Sequence, residues 1–505
     1  MPTSTLVLLM TAAPETPVQP VRTAVRAALA TLAAAAALMI CAGSAAAGWA
    51  PAQNVTTGSP LFGEPLLFAG PAGELLSWSY STAAPHQTEG AGEAVAAAGM
   101  RFGAPRPLPH GYNGRTLVDL GDGHVAQLIL TPTGLNTSAA AVALGSTTGV
   151  FGHTLSVRGS VFAARASLAG DARGDLLLAW ISADRNGYHR DVWVSARPAG
   201  RAFGPPQVLN GSAEAERVQV GVGSHGAMAI AFATKEPYGR MFARVRLAGR
   251  GWGPQQNIGP AAEGHENDVS VFVTAAGEAV VAWYHTQLCE GGCESPGYVH
   301  VAVQPAGARR FAPAQLLWRS VYGLNGASAG ISLAPALAAP PAGAPLVAFL
   351  ARVGSPGASS VPVPTAVMVA VAAGSRYGAA HAISPPGQQE AQVAAAAGPH
   401  GVLVTWIRPE PPRYGGPVVA AVGDLGGHFG TPEQVSPNEE ALRAAPVFNP
   451  AGRWPANEVA PWTVAWTGRP FAELIATTPV TEAMWASAPI CPLPPAAADP
   501  ACVGG

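Results

Sequence analysis

A repeated unit, about 51 residues long over its first five editions, runs along most of this 505-residue chain, and that repeat constrains the fold more than any other feature. Its clearest edition covers residues 171–204. There DARGDLLLAW is followed by a polar loop and then by DVWVSARPAGRAFG. A turn with a glycine, an apolar run and an aromatic come back around Gly73, Gly123, Gly226, Gly277, Gly343 and Gly401, and a Gly-less version ends in WTVAW. The run-ending residues are Trp78, Leu128 or Ile129, Trp180, Phe232, Trp283, Phe349, Trp406 and Trp466. Two short apolar runs around a glycine turn signal a hairpin.

A second signature follows each hairpin, an aromatic usually trailed by glycine: Phe102, Phe151, Phe203, Trp252, Phe311, Tyr377 and Phe429. Eight hairpins alternating with seven such signatures give about four short strands per unit. A 40–50-residue period with four strands and aromatic punctuation is the pattern of a propeller blade. The expected fold is therefore an all-β propeller of about eight, alternatively seven, four-stranded blades over residues 61–489. The recurrent Trp and Phe are expected to wedge between blades, each burying roughly 150 to 250 Å². Residues 353–364 of unit six are rich in Pro and Ser, and unit eight reads as truncated or degenerate over residues 443–479.

The ends of the chain speak to compartment. Arg22 and Arg26 precede an Ala-dominated apolar run over residues 27–40, and small residues end in Ala45-Ala46-Ala47. That layout is a secretory signal peptide, residues 1–47, cut after Ala47. The apolar run falls short of the roughly 20 strongly apolar residues of a stable span, so no transmembrane segment is expected in the mature chain. Residues 48–60 read as a lead-in and 490–505 as a Pro- and Ala-rich tail. An even cysteine count after cleavage in an exported chain suggests two disulfides, Cys289 with Cys293 and Cys491 with Cys502.

Only 11% of residues are charged and the net charge is −2, so nucleic acid is excluded as a partner. The chain has no HExxH, phosphate loop or EF-hand loop, and no cofactor is expected. Neither CEGGC with His285 nor His265-Glu266-x-Asp268 has diagnostic zinc spacing, so no metal is expected.

Units of this form resemble the blades of secreted bacterial propellers related to sialidases. The resemblance covers residues 61–479 and implies the fold. Of the family's Asp-box only Asp171-Ala-Arg-Gly174 has a faint echo here. No local motif marks the family's three arginines or its Tyr–Glu pair, and no residue role is carried over.

In a propeller, the loops between second and third strands converge with the inter-blade links on one face. These loops hold unusual polarity for so uncharged a chain. The candidate ligand-binding residues are Arg185, Tyr188, His189, Tyr238, Arg240, His265, Glu266, Asp268, Tyr284, His285, Arg408, Arg413 and Tyr414. Arg and acidic groups hydrogen-bond a polar ligand while Tyr rings stack on it. The expected function is that of an exported, monomeric, non-catalytic propeller binding an extracellular protein or glycan. A sialidase-like glycoside hydrolase is second, and a lyase of acidic polysaccharide, using Tyr and His near Arg, is third.

Overall fold

The computed structural model describes residues 53–487, apart from segments 60, 63–64, 82–88, 98–100, 109–116, 135–136, 162–165, 184–189, 212–213, 235–238, 261–267, 287–295, 321–333, 354–363, 410–414, 437–438, 449–461 and 471–481. Every regular element among the described residues is a strand, and the strands form eight antiparallel sheets. In blades 2 to 7 the strands follow chain order outward, as short hairpin connections dictate.

The innermost strands of blades 1 to 8 are Leu66–Gly70, Leu117–Gly121, Ala166–Gly170, Ala215–Val222, Asp268–Val273, Ala336–Ala338, Ala391–Gly398 and Glu439–Phe448. Each contacts the next, and the eighth contacts the first, so the sheets close into a ring. The second strands, such as Leu176–Ala183 in blade 3 and Ala279–Thr286 in blade 5, are covered on both sides and are apolar on both faces.

The core is divided among the seams. Eight apolar clusters each join two consecutive blades, the last joining blade 8 to blade 1. Trp78, Trp180, Phe232, Trp283, Phe349, Trp406 and Trp466 are all buried, each in the seam with the preceding blade. The expected wedges are present. Blade 2 differs, because buried Leu128 packs forward against blade 3, beside Trp180.

The first turn of blade 3 shows why its sequence recurs. Gly174 sits at φ 86°, a left-handed conformation that a side chain opposes, and its N–H donates to Asp171 O at 2.9 Å. Asp171 Oδ1 accepts from the N–H groups of Arg173 and Asp175, at 3.1 and 2.9 Å. The aspartate of DARG is thus a turn-former. The second signature also has a structural role. The N–H of the glycine after the aromatic turns back to the third strand, as in Gly103 to Val95 O, Gly204 to Ala196 O, Gly253 to Val245 O and Gly430 to Val422 O.

The lead-in supplies the missing signature of unit eight. Gln53–Ser59 pairs antiparallel with Glu482–Ser487 and becomes the outer strand of blade 8. Its Val55 is buried in the seam between blades 8 and 1. Blade 8 therefore has four strands although the C-terminal unit encodes three. The four cysteines assigned to disulfides lie outside the described residues.

Candidate ligand-binding site

Register identifies one end of the ring as the meeting place of the candidate residues. Ala183 pairs with Arg190, Asp268 with Tyr284, Thr286 with Gly297 and Arg240 with Pro260. The starts of first and third strands and the ends of second and fourth strands thus share that end, here called the top. Arg185, Tyr188, His189, Tyr238, His265, Glu266, Arg413 and Tyr414 lie outside the described residues. Arg240, Tyr284, His285 and Arg408 are described, with the backbone of Asp268.

Arg240 opens the third strand of blade 4, just after the segment holding Tyr238. It is exposed and lines an open depression of about 420 Å³ with Gly239, Asn257, Gly259 and Pro260. Pro260 leads directly into the segment holding His265 and Glu266, so this depression is flanked in sequence by two of the candidate loops. Its far wall is fixed by blade 5. Trp283 Nε1 donates to Pro260 O at 2.8 Å, and a Cβ at Gly259, whose φ is 157°, would lie 2.8 Å from the Trp283 ring. Asn257 Oδ1 accepts from Gly259 N at 3.0 Å and holds the bend.

Two other top-end arginines are paired with acidic groups. Arg190 Nη1 lies 3.5 Å from Glu216 Oε1, and Arg408 Nε lies 3.4 Å from Glu390 Oε1. Arg240 has no acidic partner among the described residues.

The Glu390 side chain is fully buried, its backbone is tied to Thr365 Oγ1, and its Oε2 has no partner among the described residues. Burial pushes its carboxyl up to about 7, against the downward pull of Arg408. A carboxyl raised on folding contributes stability below its unfolded value near 4.5, and that contribution is lost as pH rises through about 7. Glu390→Gln is expected to remove this loss. Denaturant midpoints should then fall less between pH 5 and 8 in the variant than in the wild type.

Tyr284 and His285 are neighbours that part company. Tyr284 is buried in the seam with blade 6, and His285 is buried on the opposite face of the same strand. Asp268 pairs with Tyr284, whereas His285 pairs with Tyr298. His285 stacks on Tyr298 at 4.8 Å and on His300 at 5.0 Å, His300 stacks on Trp283 at 5.2 Å, and Arg319 lies 5.8 Å above the Tyr298 ring. The row runs from buried Trp283 to exposed Arg319. Tyr298, His300 and Arg319 are absent from the sequence-derived set. Their signal is the alternation in GYVHVAVQ, where an aromatic and an imidazole two apart mirror Trp283 and His285 across the hairpin.

Burial lowers His285 to about 3, helped by His300, and lowers His300 to about 4. Both imidazoles are neutral at pH 7. Among the described residues no three His, Cys, Asp or Glu side chains gather as a metal site. No helix among them is long and apolar enough to cross a membrane.

No protein-family model matches the chain, and no curated protein matches it. Solved structures resemble it at the level of fold. A polysaccharide lyase of the ulvan lyase family PL25 aligns at 11% identity with a TM-score of 0.42, over 73% of this chain and 90% of that one. The β-propeller domain of the Trilobed protease from Pyrococcus furiosus aligns at 8% identity and a TM-score of 0.40, over 75% and 99%. A Hadza microbial sialidase aligns at 10% identity and a TM-score of 0.32, over 70% and 74%. The closed ring of four-stranded sheets makes the chain a β-propeller, a class that hosts many unrelated activities.

Proposed function

We propose that this chain is an exported, non-catalytic propeller that binds an anionic glycan at the top edge of blade 4. The observation that carries the reading is the position of Arg240. It is an exposed guanidinium without an acidic partner among the described residues, and it lines an open depression flanked in sequence by two polar segments. A guanidinium fork suits a carboxylate or sulfate group, and the apolar floor of Gly259 and Pro260 suits a sugar face. Neutral, buried imidazoles with depressed basicity are poor general bases at neutral pH, which favours binding over catalysis.

The test is affinity for a uronate- or sulfate-bearing polysaccharide, with a neutral polysaccharide as control. Arg240→Ala is expected to weaken binding about tenfold, since a charge-assisted hydrogen bond contributes about 1.5–3 kcal/mol. Affinity for the anionic polymer should also fall with added salt. Equal affinity for charged and neutral polymers would refute the reading.

One arrangement favours a second reading, a lyase of acidic polysaccharide. Arg319, Tyr298, His285 and His300 fall in one row, and such chemistry uses a guanidinium to neutralise a uronate carboxylate. A base then removes the proton beside that carboxylate while the neighbouring C–O bond breaks and a C=C bond forms. Unsaturated sugar ends on the product distinguish this reading from the first.

A further inference from the structure

We propose that the seam between blades 4 and 5 is an acid-sensitive joint, in which protonating the His285–His300 pair separates the blades and dismantles the groove wall at Gly259 and Pro260. The groove part rests on the binding reading above, whereas the joint itself does not.

The geometry supplies the strain. The two rings stack 5.0 Å apart, and His285 Nδ1 and His300 Nε2 are both buried with no hydrogen-bond partner among the described residues. A proton added to either ring therefore has no acceptor in place. On their own sheet the rings are flanked by Trp283, Tyr298 and the cationic Arg319, none of which offsets positive charge with a carboxylate. Asp268 pairs with Tyr284, the preceding residue. Across the seam, blade 4 presents Ala231, Ala233, Met241, Ala243 and Ile258, which carry no charge. The arginines alternating with them turn away, as Arg244 does in donating to Gly253 O and Leu209 O.

A second imidazolium 5.0 Å from the first adds like-charge repulsion in a poorly solvated site. The direction follows from linkage. Both groups fall below their unfolded value of 6.5, so their contribution is present above that pH and is lost as pH falls towards 4. The consequence is local because the pair sits in a single seam. Trp283 stacks on His300 and donates to Pro260 O, so separation at this seam also frees the groove wall.

The experiment is amide hydrogen exchange at pH 7 and pH 4.5, corrected for intrinsic rates, on the wild type and on the double variant His285→Phe/His300→Phe. The Phe rings keep the stack and remove the titration. In the wild type, residues 279–286 and 297–304 are expected to exchange at least about tenfold faster at pH 4.5, while residues 176–183 of blade 3 stay unchanged. The double variant should lose that acceleration. Equal acceleration in the variant, or acceleration spread over all blades, would overturn the joint.

Histidine NMR on the wild type needs no variant. Both imidazoles should resist protonation to below pH 6 and then titrate together with a change at the Trp283 indole. Ordinary titration near 6.5 with an unchanged indole would also overturn it. A seam that opens while the bound anionic polysaccharide is retained would overturn the link to the groove alone.

Discussion

Removal of residues 53–59 is expected to abolish cooperative unfolding of the ring. The segment pairs with the third strand of blade 8 at Gln53–Ala486, Asn54–Trp485, Thr56–Met484 and Ser59–Glu482. Net worth is about 1 kcal/mol per hydrogen bond. Val55 adds about 1.5–3 kcal/mol by its burial against Trp78, Phe102 and Ala465. The loss, on the order of 5 kcal/mol, is comparable with the whole stability of many domains. It also exposes Glu482–Ser487 as an unpaired edge ready to pair with another chain. A broad thermal transition and aggregation are the expected results by calorimetry and light scattering. A peptide of sequence QNVTTGS added in trans should restore a single transition. A sharp transition at the wild-type temperature after truncation would show that the ring does not depend on this strand.

The second large effect belongs to Trp283. It is fully buried among Ala231, Ala243 and Ile258 of blade 4, stacks on His300 and donates to Pro260 O. The alanines opposite it have no bulk with which to refill the space, so Trp283→Ala is expected to cost about 3–5 kcal/mol. Trp283→Phe keeps most of the ring volume and should recover more than half. Urea denaturation of the three proteins checks this ordering. A loss below about 1 kcal/mol for the alanine variant would mean that the seam can collapse around a cavity. The same substitution removes the hydrogen bond that fixes Pro260, so it should weaken ligand binding at the groove although Trp283 does not line it.

The sequence carried the blades because each hairpin is a local event. Its turn glycine, apolar second strand and Trp180-type wedge all lie within a few residues of one another. The closing strand was illegible for the opposite reason. Only Val55 in QNVTTGS is buried apolar surface, and its partner strand lies more than 400 residues away, so nothing local marks it. Among site residues, Arg240 was legible because it flanks a polar loop at a strand start. The burial of Tyr284 and His285 was not, since adjacent strand residues face opposite seams and which seam each enters depends on neighbouring blades. Tyr298, His300 and Arg319 were missed because their association with His285 depends on the register of blade 5, which sequence spacing does not fix.

The proposed function turns on binding without cleavage at the top edge of blade 4. It is tested most directly by prolonged incubation with an anionic polysaccharide, measuring both retention on immobilised protein and the polymer's chain length. The expected result is salt-sensitive retention that Arg240→Ala reduces about tenfold, with chain length unchanged. Shortened chains bearing new reducing or unsaturated ends, lost on mutation of Tyr298 or His285, would contradict it and establish an enzyme instead.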